Sequence, residues 1–454
     1  MKKLALFLTI ISFFACQEQA PKKETTPNNV LIEKIKDGVI YEVNVRQYST
    51  EGTFDGFTKD IPKLKDLGVK VLWLMPIHPI SLEKRKGELG SYYSIADYRG
   101  VNPEFGDKAA FDRLVAAAHE NEMLVIIDWV ANHTGWDHPW ISAHPEFYTQ
   151  NEAGEIIDPI NPDTGESWGW TDVADLNFDN DDMQNQMISA MEYWVKQHNI
   201  DGFRFDAAHS CPVDFWKKSM ERLTAIKPLF TLAESDGYHP GGFELVELFD
   251  MSYSWRGHHV LNEIARNDKN TEALFNNIND NAQAYNPKHI LMNFTSNHDE
   301  NSWAGTVFER LGGGVKTFAA LSYFLPGMPL IYNGQEYGLD KRLAFFKKDF
   351  IEKKATDLFP FYTQLAALKQ KHRALDVAID QKTQFSIMPL DHDKVVLLKR
   401  TRGEETLYFL ANLSDEQQTV KLPLKGSFTD LLQNNPIDIQ DETQLDAWAY
   451  FFIQ

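Results

Sequence analysis

Cysteine is scarce: Cys16 and Cys211 are the only two in 454 residues, so at most one disulfide could form and the fold must stand on its core. No stretch after the amino terminus reaches 18 uninterrupted apolar residues, which leaves nothing to cross a membrane as a helix. Basic charge is short as well. Lys and Arg number 45 against 65 Asp and Glu, a net charge of −20 with His neutral. Such a surface repels polyphosphate and forfeits the counterion release that drives nucleic-acid binding, so DNA and RNA are excluded as partners. Internal repeats are missing, and the only low-complexity tract is a short polar stretch near the amino terminus. What is present is a globular composition, 43% hydrophobic and 24% charged, in a chain long enough for one large domain with appendages or for two domains. The 11 Trp, 16 Tyr and 30 Phe are mostly core material, yet they also suit stacking on the apolar faces of a neutral sugar.

The first 16 residues, MKKLALFLTIISFFAC, place Lys2 and Lys3 before an apolar run from Leu4 to Phe14, then Ala15 and Cys16. The run is too short to span a bilayer and ends in a small residue before Cys, the pattern of a secretory signal. It resembles the bacterial lipoprotein signal, with Phe13 where the usual motif has Leu, and implies an exported protein lipid-anchored through Cys16, periplasmic or at the cell surface; simple secretion and a plain signal anchor are the alternatives. Residues 17–37 begin QEQAPKKETTPNN, too polar to bury a core, and read as a flexible tether. Cys211, its only potential partner then lipidated, is either a small core residue or a free thiol.

From residue 38 to about 376, short apolar runs alternate with segments of helical periodicity. Strand candidates are Val39–Val45, Val69–Met75, Met123–Asp128, Gly202–Asp206, Leu229–Glu234, Leu245–Phe249, Ile290–Phe294 and Leu330–Tyr332. Asp107 reads as an N-cap before Phe111, Leu114, Val115 and Ala118, and Met187, Met191, Trp194 and Val195 mark another helix face. Eight strand-helix units predict a (β/α)8 TIM barrel with its site at the carboxyl ends of the strands. Residues 133–180, rich in Trp, Pro, Asp and Gly, predict a small inserted subdomain after the third strand. Residues 377–454 predict a C-terminal antiparallel β-sandwich.

Four of these strands run into acids: Asp128 in DWVANH, Asp206 in GFRFDAAH, Glu234 in LAES and Asp299 in TSNHD. One such acid reads equally well as a helix cap or an Arg partner. Four on the same face of a parallel barrel would share a pocket, where mutual repulsion spreads their pKa values and separates their roles. Two carboxyls suffice for glycosidic cleavage with retention, one attacking the anomeric carbon and a protonated one serving the departing oxygen. Arg204 and Asp206 stand two apart on a strand, so their side chains leave the same side, and the guanidinium would keep the nucleophile ionised.

These motifs resemble, in order, the conserved regions of the α-amylase family of retaining glycoside hydrolases, from about residue 38 to the end. The resemblance implies Asp206 as nucleophile, Glu234 as acid then base, and Asp299 as transition-state stabiliser. It implies Arg204, His133 and His298 as residues holding the sugar and Tyr93 in SYYSIADY as the ring stacked on it with Asp97 behind; His209, where the family varies, reads either as a leaving-group-side contact or as a backbone partner. GMPLIYNGQE, with Gly334 and Glu336, matches the family's last strand and reads as architectural. No cofactor is required for the chemistry. The calcium loop of many relatives is replaced by QYSTEGTFDGF, which lacks alternating oxygen ligands. A second family calcium site would use Asn132 and Asp175.

The expected activity is therefore hydrolysis of α-1,4 bonds in starch-like polymers or maltodextrins by double displacement. Transglycosylation or isomerisation on the same acids is the alternative, and a non-catalytic α-glucan-binding protein is a further one. The sequence is silent on oligomeric state, chain-length preference and endo or exo action.

Overall fold

The computed structural model describes residues 29–161, 164–377 and 382–454; the expected signal, Cys16 and most of the tether lie outside them. Its strands, in chain order, begin with β1 (Val39–Val43), β2 (Val69–Leu74), β3 (Leu124–Val130), β4 (His133–Gly135) and β5 (Val173–Asp175). They continue with β6 (Gly202–Asp206), β7 (Phe230–Ala233), β8 (Met251–Tyr253), β9 (Ile290–Asn293) and β10 (Met328–Tyr332). β1, β2, β3 and β6 to β10 close into a parallel barrel in the order β1-β10-β9-β8-β7-β6-β3-β2. Alternation along these buried strands sends Ile40, Val71, Trp73, Ile126, Leu232, Met251, Met292 and Leu330 into one interior cluster, while the opposite set packs against the surrounding helices.

Helix formation follows the sequence closely where caps are strong. Asp107 accepts a hydrogen bond from Ala110 N and opens a helix over Lys108–Glu120, which buries Phe111, Leu114, Val115 and Ala118. The helix over Asp181–Gln197 buries Met187, Met191, Trp194 and Val195 in the same way. Two expectations need correction. Residues 245–249 are not the sixth barrel strand: Gly241 at φ +83° opens a helix over Gly242–Val246, whose buried Leu245 and Val246 imitate a strand in so short a run. The sixth strand is β8, only three residues long. The tether ends earlier than residue 37, because Asn29–Ile35 is a helix that places Leu31 and Ile35 in the barrel-interior cluster.

The segment after β3 contains the antiparallel pair β4 and β5, with His133 opposite Asp175. Beyond the barrel follow β11 (Thr383–Met388), β12 (Val395–Arg402), β13 (Glu405–Asn412), β14 (Gln418–Val420), β15 (Gly426–Asp430), β16 (Asn435–Ile439), β17 (Thr443–Leu445) and β18 (Tyr450–Ile453). Six form an antiparallel sheet, β11-β12-β13-β18-β15-β16, and β14 pairs with β17. Val395, Leu397 and Leu410 of the large sheet share a core with Val420 and Leu445 of the small one, so the sandwich is lopsided. Phe409 and Phe452 on its other face meet Phe324 of a barrel helix, ring centroids 5.5 and 5.8 Å apart.

Candidate active site

The carboxyl ends of the strands gather the predicted acids around one guanidinium. Arg204 and Asp206 lie on β6, whose register sets Arg204 against Asp128 and Asp206 against Val130 of β3. Arg204 is fully buried; its Nη1 donates to Asp128 Oδ1 and to Asp206 Oδ1, both at 2.8 Å. Its Nη2 stands 2.9 Å from Glu234 Oε2, an ion pair whose angles are poor for a hydrogen bond, and its Nε donates to Tyr253 Oη at 3.3 Å. Glu234 follows β7 directly, its backbone N–H donating to Phe205 O at 2.9 Å. The chain turns sharply after Asp206: Ala207 sits at φ +39°, a strained left-handed position for a residue with a Cβ. That turn aims Ala207 N at Glu234 Oε2, 2.7 Å away.

A second cation stands beside the first. His298, between β9 and Asp299, donates from Nδ1 to Glu42 Oε1 (2.5 Å), and its Nε2 faces Tyr93 Oη (2.7 Å) and Asp299 Oδ2 (3.1 Å). Tyr93 also donates to Asp128 Oδ2 at 3.2 Å, as does Trp73 Nε1, which links the two clusters through Asp128.

The charges decide the protonation states. Five carboxyls, on Glu42, Asp128, Asp206, Glu234 and Asp299, surround two cations, Arg204 and the His298 imidazolium. All five cannot ionise cheaply in a largely buried site, so the cluster retains a proton. Burial pushes Asp206, Glu234, Asp128 and Glu42 above their ordinary values despite the pull of their cations. Burial also acts on Asp299, but the charge and hydrogen bond of His298 outweigh it and hold that carboxyl low. His298 is likewise penalised by burial and carried well above its ordinary value by Asp299 and Glu42. Asp206 has a full charge-assisted hydrogen bond from Arg204, whereas Glu234 takes only the misaligned Nη2 from that cation, beside the neutral N–H of Ala207; Glu234 is therefore the better place for the proton. Both of its contacts run through Oε2, which leaves Oε1 to carry the proton toward a leaving group.

The remaining expected residues divide. His133 is buried, its Nδ1 3.3 Å from Asn132 Oδ1; it bonds the Tyr93 backbone, and burial drives its pKa down to about 4, so it is a neutral ring beside the cluster. His209 stands at the rim, Nδ1 3.4 Å from Glu234 O and stacked on His239 at 4.6 Å. Asp97 does not back Tyr93: it is exposed and accepts from Arg99 N. Asn132 turns its amide nitrogen to Ser210 O at 3.5 Å, and burial pushes the Asp175 carboxyl up to about 6. Ca2+ takes six to eight oxygens, and among the described residues no group of three or more His, Cys, Asp or Glu could hold a metal; Asn132 and Asp175 would need backbone oxygens and water to complete such a site. Cys211 is buried and free.

Three contributors escaped the sequence motifs. Glu42, an acid in the middle of the apolar run VIYEV, was itself the signal. Tyr253 belongs to the mislocated strand, and Trp73 gave no sign within VKVLWLM.

The family described as alpha amylase, catalytic domain, matches residues 23–223. The alpha-amylase MalA of Haloarcula japonica is 27% identical over 404 residues, covering 87% of this chain and 58% of that protein. The crystal structure of an alpha-amylase from Lactobacillus plantarum superposes with a TM-score of 0.81 at 28% identity, covering 92% of this chain and 99% of that one. A noncanonic maltogenic alpha-amylase from Thermotoga neapolitana reaches the same TM-score of 0.81 at 25% identity, with 92% and 99% covered. Of the curated relatives, this chain spans 58% of the Haloarcula protein and 65% of alpha-amylase 3 from Dictyoglomus thermophilum.

Proposed function

We propose that this chain, which belongs to the alpha-amylase family, is a retaining glycoside hydrolase that cuts α-1,4-glucosidic bonds of starch-like chains or maltodextrins. The observation that carries the reading is the single buried guanidinium of Arg204 in contact with Asp206 and Glu234 together. One guanidinium thus gathers both carboxyls at the same point of the barrel mouth, as a pair acting on one glycosidic bond must be.

On this reading Asp206, ionised against Arg204, attacks the anomeric carbon from one face while Glu234 gives its proton to the departing oxygen. The covalent glycosyl-enzyme is then opened by water, which Glu234 deprotonates. Asp299, kept ionised by His298, faces the positive charge that develops on the ring. Tyr93 and neutral His133 position that sugar, and His209 lies on the Glu234 side, where the leaving chain departs. No cofactor enters the chemistry, and no step passes through calcium. The decisive experiment is Asp206→Ala on maltoheptaose: turnover should fall by orders of magnitude with the melting temperature retained, and near-normal hydrolysis would end the proposal.

The same acids would serve transfer to a sugar acceptor or isomerisation. Hydrolysis is favoured here because the rim beside Glu234 is open, with His209 and His239 both partly exposed. Products longer than maltoheptaose would favour transfer. A glucan-binding protein without catalysis is the weaker reading, since every acid is in place. We also propose export and lipid anchoring through Cys16. No helix of the described residues is long and apolar enough to cross a membrane, so on this reading a lipid holds the protein there. A Cys16→Ser variant should leave the membrane fraction, and its retention there would contradict the anchor.

A further inference from the structure

Asp299 is held more loosely than the other two acids. Arg204, planted on a barrel strand, touches both Asp206 and Glu234, whereas among the described residues the Asp299 side chain pairs only with His298, its neighbour in the chain. Its aim at the sugar is therefore set by the backbone of the loop that carries it, Thr295 to Gly305. Directly after Asp299 that loop makes one π-helical turn, Glu300–Ala304, a rare conformation that recurs at functional sites. Two consecutive acids thus serve different surroundings: Asp299 meets His298, and Glu300 meets two side chains from outside the loop.

Glu300 Oε2 stands 3.0 Å from His258 Nε2 and 3.5 Å from Arg310 Nη1. His258 lies on the helix Trp255–Ala265 and Arg310 on the helix Val307–Leu311, and both are buried. Arg310 also fastens the two ends of the loop, its Nη2 donating to Thr295 O at 2.7 Å and its Nε to Gly305 O at 2.9 Å. Its Nη1 donates to Asn262 Oδ1 at 2.8 Å, which ties the loop to the first helix. Inside the loop, Glu300 N donates to Asn297 Oδ1 and Gly305 N to Glu300 O, both at 2.8 Å. An ion pair so far from water returns little net stability, because desolvation cancels most of the attraction. What a planar guanidinium with its donors in a rigid fork does supply is fixed geometry.

We propose that Glu300 is a positioning residue for Asp299: gripped from behind by Arg310 and His258, it fixes the backbone that aims the Asp299 carboxylate at the charge developing on the sugar. Glu300 makes no hydrogen bond or ion pair with Asp206, Glu234 or Asp299, so it acts only through the chain. The inference rests on the function proposed above, in which Asp299 stabilises the transition state, and adds the residue that places it. Because that stabilisation exists only while charge develops, its loss belongs in kcat and not in KM.

The test is a double-mutant cycle between Glu300→Gln and Asp299→Asn, read as kcat and KM on a nitrophenyl maltotrioside, whose good leaving group keeps slow variants measurable. Glu300→Gln should lower kcat about 10-fold or more while KM stays within about twofold. In Asp299→Asn protein the same change should cost less than about twofold, since no carboxylate remains to be aimed. An equal loss in both backgrounds is what a merely structural role gives, and it would overturn the inference, as would a loss confined to KM or no loss at all. If Glu300→Gln folds poorly, Arg310→Lys replaces it in the cycle: it keeps the charge, gives up the fork across Thr295 and Gly305, and should show the same dependence on Asp299. The Asp299→Asn arm separates the two readings. If that change alone leaves kcat intact, the functional reading falls and this inference with it; a large loss there beside an undiminished Glu300→Gln overturns the positioning role alone.

Discussion

Glu42 Oε1 lies 2.5 Å from His298 Nδ1, with both side chains buried. An acid in the centre of β1 thus fixes the charge of an imidazole that follows β9, two strands away around the barrel, and that imidazole holds Asp299 ionised. Replacing Glu42 by Gln keeps the shape and removes the charge. A charge-assisted hydrogen bond is worth about 1.5–3 kcal/mol, so kcat/KM should fall about 10- to 100-fold. His298 would then lose its proton at lower pH, and the alkaline limb of the pH profile should move toward neutrality. An unchanged limb with unchanged rate would show that Glu42 is mere filling.

The pH profile itself has a sign. Asp206 acts ionised and lies above its ordinary 3.8, so activity should fall on the acid side sooner than an unperturbed aspartate would allow. Glu234 acts protonated and lies above its ordinary 4.5, so the alkaline fall should come beyond that value. Because the acids share Arg204, the limbs report the cluster rather than single residues. Measured as kcat/KM on maltoheptaose, the result should be a bell; a flat profile would remove the acid-base assignment.

The same cluster shapes stability. Asp299 is held below its ordinary 3.8, so its contribution is present above that value and lost as pH falls through the lowered one. His298 is raised above its ordinary 6.5, so its contribution is complete below 6.5 and lost as pH rises through the raised value. The melting temperature should decline at both extremes, and Asp299→Asn should blunt the decline on the acid side. An acid limb as steep as that of the wild type would refute the pairing.

At the base of the site, Gly202 opposite Phe230 tests how tightly the two catalytic strands must meet. Its φ is +157°, and a Cβ there would stand 1.7 Å from Phe230 O. Gly202→Ala therefore has to push β6 from β7, the strands that deliver Asp206 and Glu234. The substitution should cost about 3 kcal/mol or more in urea unfolding and impair turnover as well. Full stability would show that the strands can part freely.

The barrel was legible because buried parallel strands are continuous apolar runs bounded by capped helices, as Asp107 and the stripe from Phe111 to Ala118 illustrate. The site was legible because Asp206, Glu234 and Asp299 follow those runs in sequence. The failures have physical causes. In a run as short as 245–249, one helical turn and a strand bury the same residues, which hid β8 and with it Tyr253. Glu42 stands in mid-strand, outside the pattern of acids at strand ends, although an acid inside an apolar strand demands a buried partner.

Calcium offers the last test, and the chain's own groups set its outcome. Asn132 points its amide nitrogen at Ser210 O and offers its Oδ1 to His133, an orientation that spends both ends of the side chain on protein. Asp175 is the one carboxyl expected to join it, and burial lifts its pKa to about 6, as befits an acid with no cation beside it. A bound divalent ion would reverse that shift and require several more oxygens. Treatment with EDTA should therefore leave the melting temperature and the hydrolysis of maltoheptaose unchanged. A fall of several degrees, restored by added Ca2+, would mean that Asn132 rotates and that an ion, not burial alone, sets the charge of Asp175.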